Sequence, residues 1–230
     1  MSSQPAPRAP QGEQRRRDAE RTKAEILDVA QAEFARHGYA GARIDEIAAL
    51  MRTTKRMIYY YFGGKEQLYL AVLEKVYTEV RAAEAAIDVE HLAPVEAIRT
   101  LAELTFDHHD AHRDFIKIVS IENIHQAEHL RRSQALVDLG VPVIGLIDRI
   151  LTAGRESGEF TTGADAVDVH MLISSFCFFR IANQHTFGVL FDRDLAAPEH
   201  RDRLRTMVGD MIVAYLTTAE PATAEGNADQ

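Results

Sequence analysis

The chain has one cysteine among 230 residues. That excludes an internal disulfide framework, leaves nothing for a Cys-based zinc site, and fits a reducing compartment. No stretch approaches eighteen uninterrupted apolar residues, so no segment reads as a membrane span. The start, MSSQPAPRAPQGEQRRRD, carries positive charge without the apolar run that a secretory signal places behind it. A soluble, cytoplasmic chain without a membrane partner is expected. There is no alternating run long enough to nominate a strand, no Gly-rich phosphate loop and no G-x-S-x-G elbow. Glu122-x-x-His125 has the helical spacing used in carboxylate-bridged metal bundles, but the second such pair that a bundle needs is missing. No enzymatic step, metal or cofactor is therefore expected.

What is present is an unequal division of charge. The formal net charge is −9, yet residues 1–65 sum to +4 and the remainder to −13. A basic module of that size can face a phosphate backbone while an acidic body resists nonspecific coating of nucleic acid.

The most informative segment is IDEIAALMRTTKRMIYYYFGGK, from Ile44 to Lys65. Its first half places Ile44, Ile47, Ala48 and Met51 at spacings of three and four, an apolar stripe for packing on a neighbouring helix. Its second half, Thr54 to Phe62, is expected to bury Met57, Ile58 and Phe62. Thr53, Thr54, Lys55, Arg56, Tyr59, Tyr60 and Tyr61 then remain as donors for phosphates and base edges and as flat rings for sugars. This is the pattern of a DNA-reading helix-turn-helix, with Tyr60 the foremost reader among the three tyrosines.

Elsewhere the apolar spacing is helical throughout, which makes the fold class all-α. A first helix from Arg21 or Thr22 to His37, stopped by Gly38, buttresses the helix-turn-helix. Further helices are expected at Lys65 to Ala86 and near 93–110, 114–126, 129–157, 165–189 and 198–218, with Pro142 kinking or splitting the fourth of these. The chain then divides into a disordered basic arm (1–20), a three-helix DNA-binding domain (21–65), a helical effector-binding and dimerisation domain (66–218) and a disordered tail (219–230). Arg15, Arg16 and Arg17 are candidates to follow phosphates from the arm.

The run IDEIAALMRTTKRMIYYYFGGKEQLYLAVLE resembles the TetR family of bacterial repressors, whose N-terminal domain carries T-T-V-x-x-I-A followed by S-K-x-x-[LI]-Y-x-[YH]-F-x-x-K-[ED]-x-L. The motif covers about residues 22–74, and the C-terminal half is similar to the pyrimidine-sensing group within the family. The resemblance implies a homodimer that binds a palindromic double-stranded operator and lets go when a small molecule enters its C-terminal domain. It implies DNA contacts from Arg43, Thr53, Thr54, Lys55, Arg56, Tyr59, Tyr60, Tyr61 and Lys65. Two reading helices would then lie about one helical turn apart, roughly 34–36 Å. Four residues depart from the pattern: Arg43 replaces a capping Thr, Met51-Arg52 replaces Ala-Gly, and Arg56 replaces a small residue.

For the effector, HMLISSFCFFRIAN (170–183) offers apolar walls in Phe176 and Phe179 with polar anchors in Arg180 and Asn183. Phe106, His109, Phe115, Val119, Glu122 and Asn123 are further pocket candidates from facing helices, taken mainly from family position. Cys177 is expected to fill core space. For the dimer, Leu204, Val208, Met211, Ile212 and Tyr215 form one broad apolar face on the last helix, beside the helix at 165–189. An effector-independent regulator or activator is the nearest alternative reading, and a helical-bundle metalloprotein a remote one.

Overall fold

The structure is a computed structural model describing residues 11–87 and 91–218. All regular elements among them are helices. The chain divides into two compact units, Met1–Lys75 and Val76–Gln230, ten residues beyond the expected boundary because the first turns of the fourth helix pack within the first unit.

In the N-terminal unit, α1 (Gln11–Gly41) is broken at Gly38, whose φ of 67° is the left-handed conformation that ends a helix. It is followed by α2 (Ile44–Leu50), α3 (Lys55–Phe62) and α4 (Lys65–Ala85), the last crossing into the second unit. Residues 11–20, expected to be disordered, are the first turns of α1, supported by Arg17–Glu13 and Arg16–Glu20 pairs four residues apart. The remaining arm and tail positions, 1–10 and 219–230, lie outside the described residues. Ile26, Ala30 and Phe34 of α1 meet Ile47, Ile58, Leu68 and Val72 in one core. Phe34 packs edge-on against Tyr69, with ring centroids 4.8 Å apart. Lys75 ties α4 back to α1 through Gln31 Oε1 at 2.6 Å and Asp28 Oδ1 at 2.9 Å.

The second unit contains α5 (Pro94–Ala111), α6 (Arg113–Ile124), α7 (Gln134–Asp138), α8 (Val141–Glu156), α9 (Ala166–Ala182), α10 (Gln184–Phe191) and α11 (Pro198–Thr217). Pro94, Pro142 and Pro198 each occupy the first turn of a helix, where the missing N–H costs nothing. The helix expected over 129–157 is thus split at Pro142, which sits in the first turn of α8. The single helix expected over 165–189 is two, parted at Asn183, and α10 ends on Asp192 in the left-handed region.

Helix α5 is the centre. Ile98, Leu101, Ala102 and Phe106 are buried against Ile147 and Ile150 of α8, Ile173 and Cys177 of α9, and Val208 and Ile212 of α11. Cys177 fills core space as expected, and burial pushes its thiol up to about 12. The broad face expected on α11 is divided: Leu204, Val208 and Ile212 point into this core, while Met211 and Tyr215 face outward. A row at i, i+4, i+8 covers only one side of a helix.

A lattice of ion pairs flanks the apolar contact between α5 and α11. Arg205 bonds Asp107 at 3.0 Å and also reaches Glu103, Arg201 spans Asp107 at 2.6 Å and Asp110 at 3.3 Å, and Arg99 reaches Asp210 at 2.7 Å.

Other ionisable groups of this unit are buried outside that lattice. Burial pushes His108 down to about 4 and His109 to about 3, with neighbouring cations and histidines adding to the shift, and pushes Glu84 up to about 7. Between the ordinary carboxylate value of 4.5 and histidine value of 6.5, the unfolded chain holds two histidine protons that the fold lacks. The fold holds one proton on Glu84 that the unfolded chain lacks. The unfolded chain therefore binds about one proton more, and stability should rise with pH by about 1.4 kcal/mol per unit across this window. His170, also lowered by burial, adds to the same slope. Urea unfolding across pH 4.5 to 6.5 checks the sign, and His109→Gln should reduce the slope by about one proton's worth.

Candidate nucleic-acid interface

The reading surface is organised by the residues that it hides. Ile58 and Phe62, four apart on α3, are buried in the N-terminal core, which turns Lys55, Arg56, Tyr59 and Tyr60 outward. Tyr60 is 79% exposed. Tyr61 is half-buried, its ring edge-on to Tyr60 at 5.2 Å. Met57, expected in the core, is 37% exposed because it lies on the flank of the Ile58–Phe62 row.

Helix α2 presents Ile44, Ile47 and Ala48 to the core and starts without a side-chain cap. Arg43 stands at the cap position with extended backbone; its guanidinium cannot accept from the first amides, and it is exposed. Acidic Asp45 and Glu46 in the first turn compensate through the helix dipole. Asp45 is a neighbour that sequence reasoning missed. It forms an ion pair with Lys55 Nζ and lies 4.0 Å from Arg43 Nη2. One carboxylate thus gathers two expected phosphate-binding cations before any DNA arrives. Since the partners are ten residues apart along the chain, only the folded turn reveals the contact.

The turn between α2 and α3 closes by backbone alone. Arg52 N–H donates to Ala49 O at 3.1 Å and Thr53 N–H to Ala48 O at 2.9 Å, the paired bonds of a Schellman end. This places Arg52 at φ 53°, a left-handed position that glycine adopts at little cost and other residues do not. Thr54 caps α3 by position, with extended backbone but no side-chain hydrogen bond. Thr53 is half-buried beside it. Lys65 serves the fold: its Nζ donates to Ala40 O at 3.3 Å and sits 4.9 Å from the centre of the Tyr39 ring. Partial burial lowers its pKa.

The ten residues expected to bind an effector fall into separate groups: Phe176, Phe179 and Arg180 line one groove, and Phe106, His109 and Phe115 are interior. Phe106, His109 and Phe115 are interior, with Phe115 5.7 Å from His109 and 5.4 Å from Tyr77 by ring centroids. Val119 is half-buried on α6. Glu122 is occupied internally, accepting from His129 at 3.0 Å and from the Leu130 amide at 3.3 Å; its helical neighbour His125 is exposed. Asn123 is exposed, its amide donating to Val119 O. Arg180 is buried by Asp110 at 2.7 Å, Leu195 O at 3.3 Å and the Phe106 ring at 4.2 Å. It clamps α9 to α5, and its buried Nε has no hydrogen-bond partner among the described residues. Asn183 ends α9. Phe176, Phe179 and Arg180 line an open groove of about 440 Å³ with Ser175, Phe187, Leu195, Leu204 and Met211. Among the described residues, no group of three or more His, Cys, Asp or Glu side chains is arranged to hold a metal. No helix described is long and apolar enough to cross a membrane.

Residues 26–72 match the profile of the bacterial regulatory proteins of the tetR family, and residues 94–212 that of the tetracyclin repressor-like C-terminal domain. The chain belongs to the TetR family. It is 34% identical over 202 residues to the transcriptional repressor NicS of Pseudomonas putida, covering 88% of this chain and 95% of that protein. The repressor SCO4008 of Streptomyces coelicolor is 36% identical over 170 residues, covering 68% of this chain and 77% of its own length. The crystal structure of the transcriptional regulator SCO4942 from Streptomyces coelicolor superposes with a TM-score of 0.65 at 29% identity, over 83% of this chain and 97% of that one.

In TetR terms, the departure at the turn has a structural cost. Arg52 stands where the motif has glycine, and its φ shows why glycine suits the site. Relieving a left-handed residue gains roughly 1–2 kcal/mol, offset by roughly 0.5–1 kcal/mol of glycine entropy in the unfolded chain. Arg52→Gly should therefore raise stability by about 0.5–1 kcal/mol in denaturant unfolding, whereas Arg52→Ala, still left-handed, should gain little.

Proposed function

We propose that this TetR-family protein is a cytoplasmic transcriptional repressor that binds a palindromic double-stranded operator as a homodimer and is released by a small-molecule effector, with no chemical step. The observation that carries the reading is the outward face of α3: Lys55, Arg56, Tyr59 and Tyr60 displayed over a buried Ile58 and Phe62. Cations at the start of such a helix meet phosphates or guanine edges, and the exposed rings stack on sugars or thymine methyls. Arg43 and Thr54, exposed at the two helix starts, flank that face and complete the proposed footprint. The asymmetry of charge supports it, because only the N-terminal segment is basic. The likeness to two named repressors over most of their length supports repression as the sign of regulation.

A second copy of the chain is the natural cover for the outer faces of α9 and α11. Met171 and Phe179 on α9, and Met207, Met211 and Tyr215 on α11, are exposed, and α10 adds Val189, Leu190 and Phe191. Contiguous apolar patches of this kind mark association surfaces. The effector acts on the C-terminal unit by favouring an arrangement of the dimer in which the two reading helices miss successive major grooves. Such coupling is usually about 1–3 kcal/mol.

Operator sequences selected from a random DNA pool allow both parts to be measured. Lys55→Ala and Arg56→Ala should each weaken binding and lower the slope of log affinity against log salt by about 1 if the lost contact is to phosphate. Unchanged affinity and slope in both would remove α3 from the interface. Tyr215→Asp with Met211→Asp should shift the protein from dimer to monomer in light scattering while leaving its helical content intact; a dimer that persists assigns the interface elsewhere.

A further inference from the structure

A separate cavity of about 250 Å³ lies in the second unit between the last turns of α4 and the first turns of α8. Its walls are Ile87, Pro142, Val143 and Leu146, with Arg81 and Glu84 on one side and Arg149 on the other. Arg81 and Glu84 are unusual for a protein interior. Arg81 Nη1 lies 2.8 Å from Glu84 Oε2, with side chains 14% and 6% exposed. Yet the two groups approach at an angle that makes no hydrogen bond, and Arg81 Nε, Arg81 Nη1 and Glu84 Oε2 are all buried without a hydrogen-bond partner among the described residues. Leaving a buried cation's donors unmade is costly, and the usual reason for tolerating it is that something else completes them. Behind the guanidinium stand more unfinished polar groups. His108 Nε2 and His109 Nδ1 are buried and unpartnered, beside the rings of Phe115 and Tyr77.

We propose that this cavity is the effector site and that its ligand is a small organic monoanion of the carboxylate class, held by Arg81. This rests on the reading of the protein as ligand-responsive and adds the place and the chemistry. The cavity falls below the roughly 300–1,000 Å³ of drug-sized pockets, so the ligand is compact. Its walls are apolar, so the body of the ligand is a hydrocarbon or a flat ring. A carboxylate accepts from the Arg81 guanidinium on the cavity wall, the strongest hydrogen bonds available to that group in a dry site. Glu84 is the built-in competitor. It holds the guanidinium imperfectly while the site is empty, and burial already favours its protonated form, with a pKa pushed up to about 7. Among the described residues, the other ionisable groups around it are Tyr77 and Arg81 on α4, His108 and His109 on α5, His170 on α9 and Arg149 on α8. Below about pH 7, where Glu84 is mostly protonated, Arg81 and Arg149 make the described walls positive, which suits a single negative charge.

Benzoate, benzamide and benzylamine have similar shapes and carry charges of −1, 0 and +1, so the test uses these three on the full-length protein, with affinity by calorimetry and melting temperature. Benzoate should bind and raise the melting temperature, and the other two should bind at least about tenfold more weakly. Arg81→Gln should lose benzoate by about tenfold or more. Glu84→Gln, which removes the competitor without emptying space, should tighten it. These opposed signs keep an unfolded variant from passing as support. Equal binding of all three probes, no binding of benzoate or of other small aromatic and aliphatic acids, or wild-type affinity in Arg81→Gln would overturn the site. Metabolites that release operator DNA equally from wild type and Arg81→Gln would leave the ligand-responsive reading standing and sink this cavity. Acids that bind through Arg81 without releasing DNA would do the reverse.

Discussion

The interaction on which the DNA-facing half depends is the burial of Ile58 and Phe62. These two side chains, four residues apart, fix the rotation of α3 about its own axis, and that rotation alone decides which residues see solvent. Both are held by a core that draws Ile26, Ala30 and Phe34 from α1, Ile47 from α2 and Leu68 and Val72 from α4. A reading helix of eight residues is too short to be stable alone. Its order is borrowed from this core. The turn before it is closed by backbone hydrogen bonds, so α3 starts at a defined angle even though Arg52 must take up a left-handed conformation to allow it.

In the second unit the organising problem is different: how to place many charged and polar groups around an all-helical core. The α5–α11 boundary solves it by pairing. Arg99, Arg201 and Arg205 meet Glu103, Asp107, Asp110 and Asp210 in a shared lattice, part of it shielded from water. Arg180 belongs to the same solution, since Asp110 neutralises it and Phe106 offers its ring face. Arg81 and Glu84 are not solved in this way, and neither are His108 and His109.

Much of the fold was legible because it rests on periodicity. The apolar spacing located nearly every helix, and Gly38 and Gly63 ended theirs. Where the reading failed, a residue had two physical roles and the wrong one was preferred. Residues 11–20 read as a disordered arm, yet their Arg and Glu residues pair at helical spacing. On α11, Leu204, Val208 and Ile212 were grouped with Met211 and Tyr215 as one face, but the core takes the first three and leaves the other two exposed. Two residues expected to contact DNA have partners within the fold that spacing does not reveal: Lys65 donates to Ala40 O, and Lys55 pairs with Asp45. Glu122, Asn123 and Arg180, chosen by position as effector contacts, are respectively bonded to His129, exposed, and clamped by Asp110.

The amino-acid sequence by itself determined the helical class, the helix-turn-helix, its family and the basic character of its reading segment. Those properties follow from local spacing and residue type, which survive without knowing what lies across the fold. Only the tertiary structure decided which charges are free and which are taken. Lys55 and Asp45, Arg180 and Asp110, and Arg201 and Asp107 lie 10, 70 and 94 residues apart, and no periodicity relates them. Whether a buried arginine is held by a hydrogen-bonded carboxylate, as Asp110 holds Arg180, or faces one that makes no hydrogen bond, as Arg81 faces Glu84, depends on the geometry in which the fold brings the two groups together.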